Sequence, residues 1–374
     1  MHINIAKINF KPIGINIAKV DFSLYDVANY KDEYLTLSAL EDGQITITIP
    51  DMVDQNYATS LSYSKDKSNW TETVVDNTAQ TITIPVSNGD DVYLKGVANA
   101  WCNGDEELCT HIDSSASINA SGNIMSLLYG DDFKDKITFP EESQYTFGEL
   151  FYNNTHLINA KNLILPATTL TFYCYNNMFS GCTSLTTAPE LPATTLAHSC
   201  YGAMFYGCTS LTTAPELPAT TAVNSCYNSM FRGCTSLTTA PELPATTLAH
   251  YCYQYMFKSC TSLTTAPTIL PATTLYSDCY NSMFYGCTSL TTAPAILPAT
   301  TLNANCYQSM FRGCQKLSSI TMLATDISAS DCLRNWVNGV ASTGTFTKAA
   351  SMTSLPSGVS GIPTGWTVVD YGAA

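Results

Sequence analysis

The chain has 374 residues, 45% of them hydrophobic and only 12% charged, so it is long enough for two or three domains of about 100–200 residues and covers them mostly with Thr, Ser, Asn and Tyr. Sixteen basic residues against thirty acidic ones leave a net charge of −14, with no basic run, which excludes a nucleic-acid binder. No stretch of about 18 apolar residues offers a membrane-spanning helix.

Charge and texture change together near residue 160: 23 acidic and 9 basic residues precede it, while 7 and 7 follow it, which reads as two regions with different surfaces. At the start, Met1 to Lys7 lead into polar and charged residues instead of an apolar run of about 7–15 residues with a small-residue cleavage site, so no export signal is expected. In such a chain the odd count of 15 cysteines points to reduced thiols.

Residues 1–33 hold a short apolar-alternating peptide twice: Ile3, Ile5 and Lys7 recur as Ile15, Ile17 and Lys19, with Pro12 and Gly14 between. Two readings are open. Either the copies form an attachment arm that adds strands to the sheet edge of a virion or cell-envelope protein, or they are an ordinary strand pair of the domain that follows. That domain, residues 34–122, alternates apolar and polar residues in 34–37, 44–49, 60–64, 80–84 and 91–94, with turn clusters at 41–43 and 87–90. The pattern predicts a small antiparallel β-sandwich. The stretch from Ser62 to Ser64 and on to Trp70 and Thr71 resembles immunoglobulin-like modules. Cys102 and Cys109 lie beside Asp105, Glu106 and Glu107, where an ordinary exposed loop is expected in preference to a disulfide or a weak metal site.

Repeats dominate residues 123–340. Leu-Pro-Ala-Thr-Thr begins at Leu165, Leu191, Leu217, Leu243, Leu270 and Leu297, and Cys-Tyr at Cys174, Cys200, Cys226, Cys252, Cys279 and Cys306. Each Cys-Tyr is followed four residues later by Met-Phe and eight residues later by a second Cys. A spacing of 26 or 27 residues is that of a solenoid. Cys174, Met178 and Cys182, with Tyr175 and Phe179, mark the apolar face of a short helix. Gly181 stands where a left-handed cap is needed; Gly207, Gly233, Gly286 and Gly313 hold the same place, and Ser259 predicts a looser cap. Ser-Leu-Thr-Thr-Ala-Pro then predicts a brief strand ended by proline. Stacked in register, such coils form a right-handed solenoid with a parallel sheet along one side and a core of Leu, Met, Phe and Cys. The ends degenerate, as terminal coils do. Leu150 to Asn153 takes the Met-Phe-x-Gly place, Leu127 to Gly130 reads as an earlier coil, and Cys332 and Trp336 open the last one before a C-terminal cap, residues 341–374. At about 5 Å per coil, seven to nine coils make a rod of roughly 35–45 Å.

This arrangement of Met-Phe, Cys, Leu and Ala-Pro resembles the BspA-like leucine-rich repeats of bacterial surface proteins, whose units carry Ala-Phe, Cys, Leu and Ile-Pro. The likeness covers residues 124–374. The Leu-Pro-Ala-Thr-Thr and Met-Phe-x-Gly-Cys-Thr-Ser-Leu segments are similar to copies from gut Bacteroides-type bacteria and their phages. The resemblance implies adhesion and host-surface binding, not catalysis. The expected fold class is therefore β-rich α/β, an N-terminal β-sandwich followed by a right-handed leucine-rich-repeat solenoid with short helices.

No GxSxG, HExxH, phosphate-binding glycine loop or dinucleotide fingerprint occurs, so no enzyme, cofactor or metal is expected. Across a helix the two cysteines of a unit stand about 12 Å apart, beyond the roughly 7 Å limit for a disulfide; between coils about 5 Å permits one. The preferred reading is a column of small buried thiols. His198 and His250 share a repeat position two coils apart, too far for one metal, and solvation suffices for Glu190, Glu216 and Glu242 in successive coils.

What changes from coil to coil is the position after Met-Phe (Ser180, Tyr206, Arg232, Lys258, Tyr285, Arg312) and the one before Cys-Tyr (Tyr173, Ser199, Ser225, Tyr251, Asp278, Asn305). Near-invariant frames that display changing residues are how solenoids build binding surfaces. Tyr206, Arg232, Lys258, Tyr285 and Arg312, with Tyr173 and Tyr251, are the candidate ligand column, suited to a host-surface glycan or protein by stacking and bidentate hydrogen bonds. Plain solvent exposure explains the variation equally. The expected function is a non-enzymatic adhesin or receptor-binding protein, a tail or head fibre on a phage virion. A bacterial cell-surface adhesin and a purely structural fibre or capsid-decoration protein are the alternatives, and a homo-oligomer is open in each.

Overall fold

The computed structural model describes residues 30–51, 58–76, 78–102, 108–140 and 143–372. The anchor candidates Ile3, Ile5, Lys7, Ile15, Ile17 and Lys19 lie outside the described residues, as do Asp105, Glu106 and Glu107.

The alternating segments become strands because each presents one apolar face to a common core. β1 (Leu35–Ala39), β2 (Gly43–Ile49), β3 (Ala58–Ser64), β4 (Thr71–Val74), β5 (Gln80–Val86), β6 (Asp91–Ala98), β7 (His111–Ser114) and β8 (Ile118–Asn123) precede the repeats, and β9 (Leu157–Ile164) runs parallel to β8. They form a six-stranded sheet in the order β4-β3-β6-β1-β8-β9 and a three-stranded sheet β5-β2-β7. Leu35, Leu37, Ile45, Ile47, Val92 and Leu94 are buried in one core that continues into the repeats. β4, β7 and β8 escape the alternation argument: β4 is short and largely exposed, and Ile118-Asn-Ala-Ser-Gly-Asn123 is rich in small polar residues.

Two expectations fail here. Cys102 and Cys109 form a disulfide between paired backbone segments with a Cα–Cα separation of 3.9 Å, and both are buried. The neighbouring backbone explains why this is not a free loop: Thr110 N donates to Trp101 O at 2.7 Å, and Trp101 N donates to Thr146 O at 2.9 Å. Leu127 to Gly130 is not a coil but the helix α1 (Ser126–Tyr129) and the turn after it. Ser126 Oγ accepts from Leu35 N and donates to Leu94 O, both at 2.9 Å, so α1 is tied to β1 and β6.

Between Leu165 and Ser318 the described chain has neither helix nor strand. The amides alternate instead. Those of Tyr175, Asn177, Phe179 and Gly181 donate to the next coil, at Cys200, Gly202, Met204 and Tyr206, over 2.7–3.0 Å. Those of Asn176, Met178, Ser180 and Cys182 donate three residues back, over 2.9–3.3 Å. Every fourth residue is left-handed, with φ of 57° at Tyr173, 54° at Asn177 and 78° at Gly181. A left-handed residue breaks the i→i−4 ladder of a helix, and the apolar period is strictly four, not 3.6, so a chain of turns buries Cys174, Met178 and Cys182 equally well. Ser259 adopts φ 64° and donates to Tyr285 O at 2.7 Å, as its glycine counterparts donate, so its cap is not looser.

The predicted brief strands shrink to single parallel bridges such as Thr187 to Thr213 and Thr239 to Thr265, and Leu-Pro-Ala-Thr-Thr makes a further one from Thr169 to Thr195. The prolines of Ala-Pro and Leu-Pro lack the amides that a ladder needs. A continuous parallel sheet forms only after the repeats, from β10 (Ser319–Met322), β11 (Thr345–Lys348) and β12 (Thr367–Asp370).

Inside the coils two aromatic ladders run in register. Phe151, Phe179, Phe205, Phe231, Phe257, Phe284 and Phe311 stack at 5.5–5.7 Å within 9° of parallel. Tyr175, Tyr201, Tyr227, Tyr253, Tyr280 and Tyr307 stack at 5.6–6.0 Å. Trp336 closes both, 6.5 Å from Tyr307 and 6.2 Å from Phe311, with its Nε1 donating to Gly361 O at 2.8 Å.

Candidate functional site

The position after Met-Phe is held twice by backbone. Arg232 N donates to Ser229 O within its own turn at 3.0 Å, and Arg232 O accepts from Gly207 N of the preceding coil at 2.8 Å. Tyr206, Lys258, Tyr285 and Arg312 repeat both bonds at 2.7–3.1 Å. This double clamp fixes where each side chain leaves the frame while leaving its identity free.

Five of the seven candidate residues stand together. Arg232 lies 5.2 Å from the centroid of the Tyr206 ring, Lys258 lies 4.9 Å from that of Tyr285, and Arg312 lies 5.2 Å from the same Tyr285 ring. Tyr255, which sequence reasoning missed, joins them: Arg232 is 5.8 Å and Lys258 5.0 Å from its ring. Its signal was a tyrosine where other coils hold Asn177, Ala203, Ser229, Ser282 and Ser309. That position is left-handed throughout, with φ 57° at Tyr255, a conformation costly for a bulky side chain. Tyr173 and Tyr251 belong to other groups: Tyr173 stacks on Tyr145 at 4.4 Å and lies 5.1 Å from His198, while Tyr251 is 42% exposed beside His250.

The column is cationic and unneutralised. Among the described residues no ion pair reaches Arg232, Lys258 or Arg312, whereas Lys65–Asp90, Lys95–Asp131 and Lys348–Asp370 pair outside the coils. Partial burial, and then the guanidiniums of Arg232 and Arg312, hold the Lys258 ammonium below its ordinary value. Of the repeat carboxylates, Glu242 accepts from Thr268 N at 3.0 Å and from its hydroxyl at 2.6 Å.

The repeat cysteines are free and buried. The second thiol of each coil donates to a phenylalanine carbonyl of the preceding coil: Cys208 to Phe179, Cys234 to Phe205 and Cys260 to Phe231, at 3.0–3.1 Å. Burial pushes Cys200, Cys252, Cys260 and Cys306 up to about 12, which disfavours the thiolate needed for nucleophilic or metal chemistry. Among the described residues no group of three His, Cys, Asp or Glu side chains could hold a metal ion. A cleft of about 660 Å³ is lined by none of the column residues and lies where Asn123, Lys136, Lys161, Leu163 and Pro166 meet. No helix of the described residues is long and apolar enough to cross a membrane.

The family profile of the BspA type leucine rich repeat region matches six copies, over residues 132–238 and 175–318, together half of the chain. A solved leucine-rich repeat protein from Bacteroides ovatus ATCC 8483 is similar over 69% of this chain and 72% of its own, at 13% identity and a TM-score of 0.29. No curated protein matches at a significant level.

Proposed function

The chain belongs to the BspA-type leucine-rich repeat family, and from that premise we propose that it is a host-attachment component of a phage virion, a tail or head fibre that binds the host cell surface without catalysis. Repeat proteins of this family are surface and adhesion scaffolds. In this reading residues 1–33 are the attachment arm, 34–122 a β-sandwich spacer, 123–340 a right-handed solenoid with its capping coils, and 341–374 the terminal cap. The observation that carries the proposal is the doubly clamped frame, nearly identical from coil to coil, from which one column of Tyr, Arg and Lys emerges.

A bacterial cell-surface adhesin is the second reading. The Cys102–Cys109 disulfide favours it, because such bonds persist in oxidising surroundings. Recovery of virion and cell-envelope proteins with the full chain and with a version lacking residues 1–33 separates the two. Loss of a specific virion partner on truncation supports the fibre; equal recovery, or none, supports the free-standing adhesin. Replacing Arg232 and Arg312 by Ala tests binding itself, and unchanged host adsorption would leave a purely structural fibre or decoration protein.

A further inference from the structure

We propose that the column from Tyr206 to Arg312 is a binding site for an acidic polysaccharide, its carboxylate or sulfate groups held by Arg232, Lys258 and Arg312 and its hydroxyls by the phenol edges of Tyr206, Tyr255 and Tyr285. The inference rests on the surface-binding reading and names the chemistry of its ligand.

Charge is the first reason. The chain as a whole carries −14, and its seven basic and seven acidic residues beyond residue 160 balance, yet these three cations have rings for neighbours and no acid. Their mutual repulsion, felt at Lys258, is relieved when an anion bridges them. Guanidiniums bind carboxylate and sulfate with paired hydrogen bonds.

Ring geometry is the second reason, and it narrows the class. Lys258 and Arg312 stand in the neighbouring positions on either side of Tyr285, and Tyr255 contacts both Arg232 and Lys258. Cations thus lie over all three rings, two each at Tyr255 and Tyr285 and one at Tyr206, in competition with any base that would stack there. A single-stranded nucleic acid needs free faces for its bases, whereas a polysaccharide offers hydroxyls that meet phenol edges. Coils follow one another at the 5.5–5.7 Å of the buried phenylalanine ladder, so Arg232 and Lys258 stand one coil apart and Lys258 and Arg312 two, and a linear polyanion laid along the column reaches all three.

Strain is the third. Tyr255 takes a left-handed backbone that the corresponding coils give to Asn, Ala or Ser. That backbone is costly for a bulky side chain, and at Tyr255 it sets the ring beside Arg232 and Lys258.

The test uses the full chain against immobilised chondroitin sulfate, hyaluronan, neutral dextran, polyglutamate and a single-stranded oligonucleotide. Expected are binding to the two acidic polysaccharides that weakens as salt rises, and a fall of about tenfold or more in the Arg232→Gln, Arg312→Gln variant from the loss of two charge-assisted contacts. Thermal unfolding should not change, and the Arg232→Lys, Arg312→Lys variant, which keeps the charges and loses the paired hydrogen bonds, should bind between the native chain and the Gln variant. If the Gln variant does not fold, the salt titration of the native chain decides, and salt-independent binding overturns the proposal. Dextran bound equally well, or polyglutamate or the oligonucleotide preferred, overturns the ligand class while the surface-binding reading stands. No binding to any probe, with host adsorption intact and insensitive to both variants, overturns the site; loss of host adsorption by the native chain overturns the surface-binding reading as well.

Discussion

The strands of residues 35–123 and the coils of 145–318 satisfy the same backbone in opposite ways. In the first region a strand finds partners far along the chain: Gly43 faces Val86 and Leu35 faces Leu94, in antiparallel registers that occur once each. In the second, the amides of the Cys-Tyr to Cys turns find their acceptors three residues back or one coil onward, and the same two bonds recur from unit to unit. A unique register makes each residue answerable for one arrangement, because a slip of one position turns a whole strand inside out. A repeated interface distributes stability over equal neighbours. Its outward positions are therefore free to change without loss of the frame.

The largest expected effect separates the regions by cooperativity. Phe231→Ala removes a ring from the middle of its ladder, 5.6 and 5.7 Å from its neighbours, and should cost about 3–5 kcal/mol. Calorimetry should then show two transitions, as the stack is interrupted between its ends. Ile47→Ala, in the core of β2, should lower stability by about 2–5 kcal/mol while leaving the repeat transition in place. One shared transition for both variants would remove the distinction drawn here.

Reduction comes next. Cys102 and Cys109 close a loop with a sequence separation of 7, which the loop-closure argument values at about 2–3 kcal/mol. Denaturation with and without reductant, followed by Trp101 fluorescence, should show that loss in the strand region. The buried repeat thiols should resist alkylation at pH 8 until the chain unfolds, because burial keeps them protonated. Mass spectrometry of native and unfolded samples checks this, and rapid native labelling of Cys200 or Cys252 would contradict it.

A smaller effect has the opposite sign. The hydroxyl of Tyr227 is buried without a hydrogen-bond partner, so Tyr227→Phe should stabilise by about 1 kcal/mol, read as a raised denaturation midpoint. A lowered midpoint would show that the hydroxyl is satisfied in solution.

The smallest effect is in the strand region. Hydrogen bonds from the Asn69 backbone and side chain, then from Ser68, hold the exposed Asp66 carboxyl well below the ordinary carboxylate range. A depressed folded value gives stability that is present above the unfolded value of about 3.9 and is lost as pH falls below it. Asp66→Asn should flatten that acid limb by slightly lowering stability at neutral pH while leaving it unchanged in acid; acid titration of both proteins checks it.

Sequence periodicity made the repeats legible, because Leu-Pro-Ala-Thr-Thr and Cys-Tyr recur at fixed spacing and the buried Met, Phe and Cys of the Cys-Tyr to Cys segments follow from that register. It also found β1, β2, β3, β5 and β6 through their alternation. The local conformation of a coil was not legible. Cys174, Met178 and Cys182 at intervals of four satisfy a helix and a chain of turns alike, and the clue that separates them is the Asn, Ser, Asp or Gly at every fourth residue, types that tolerate left-handed backbone. Tyr173, Tyr251 and Tyr255 hide that clue by occupying the same positions. The disulfide was illegible for another reason: two cysteines seven residues apart bond or not according to whether the backbone brings them face to face.

By itself the sequence determined the register of the coils, which of their side chains are interior and which positions vary, since all of these follow from spacing and hydrophobicity. Tertiary structure alone decided that the coils are turns without helices, that prolines reduce the strands to single bridges, and that Arg232, Lys258 and Arg312 stand among Tyr206, Tyr255 and Tyr285 with no acid beside them. Those outcomes depend on which amide meets which carbonyl across coils and on which charges come within a few ångströms. A linear pattern carries neither until the chain has closed upon itself.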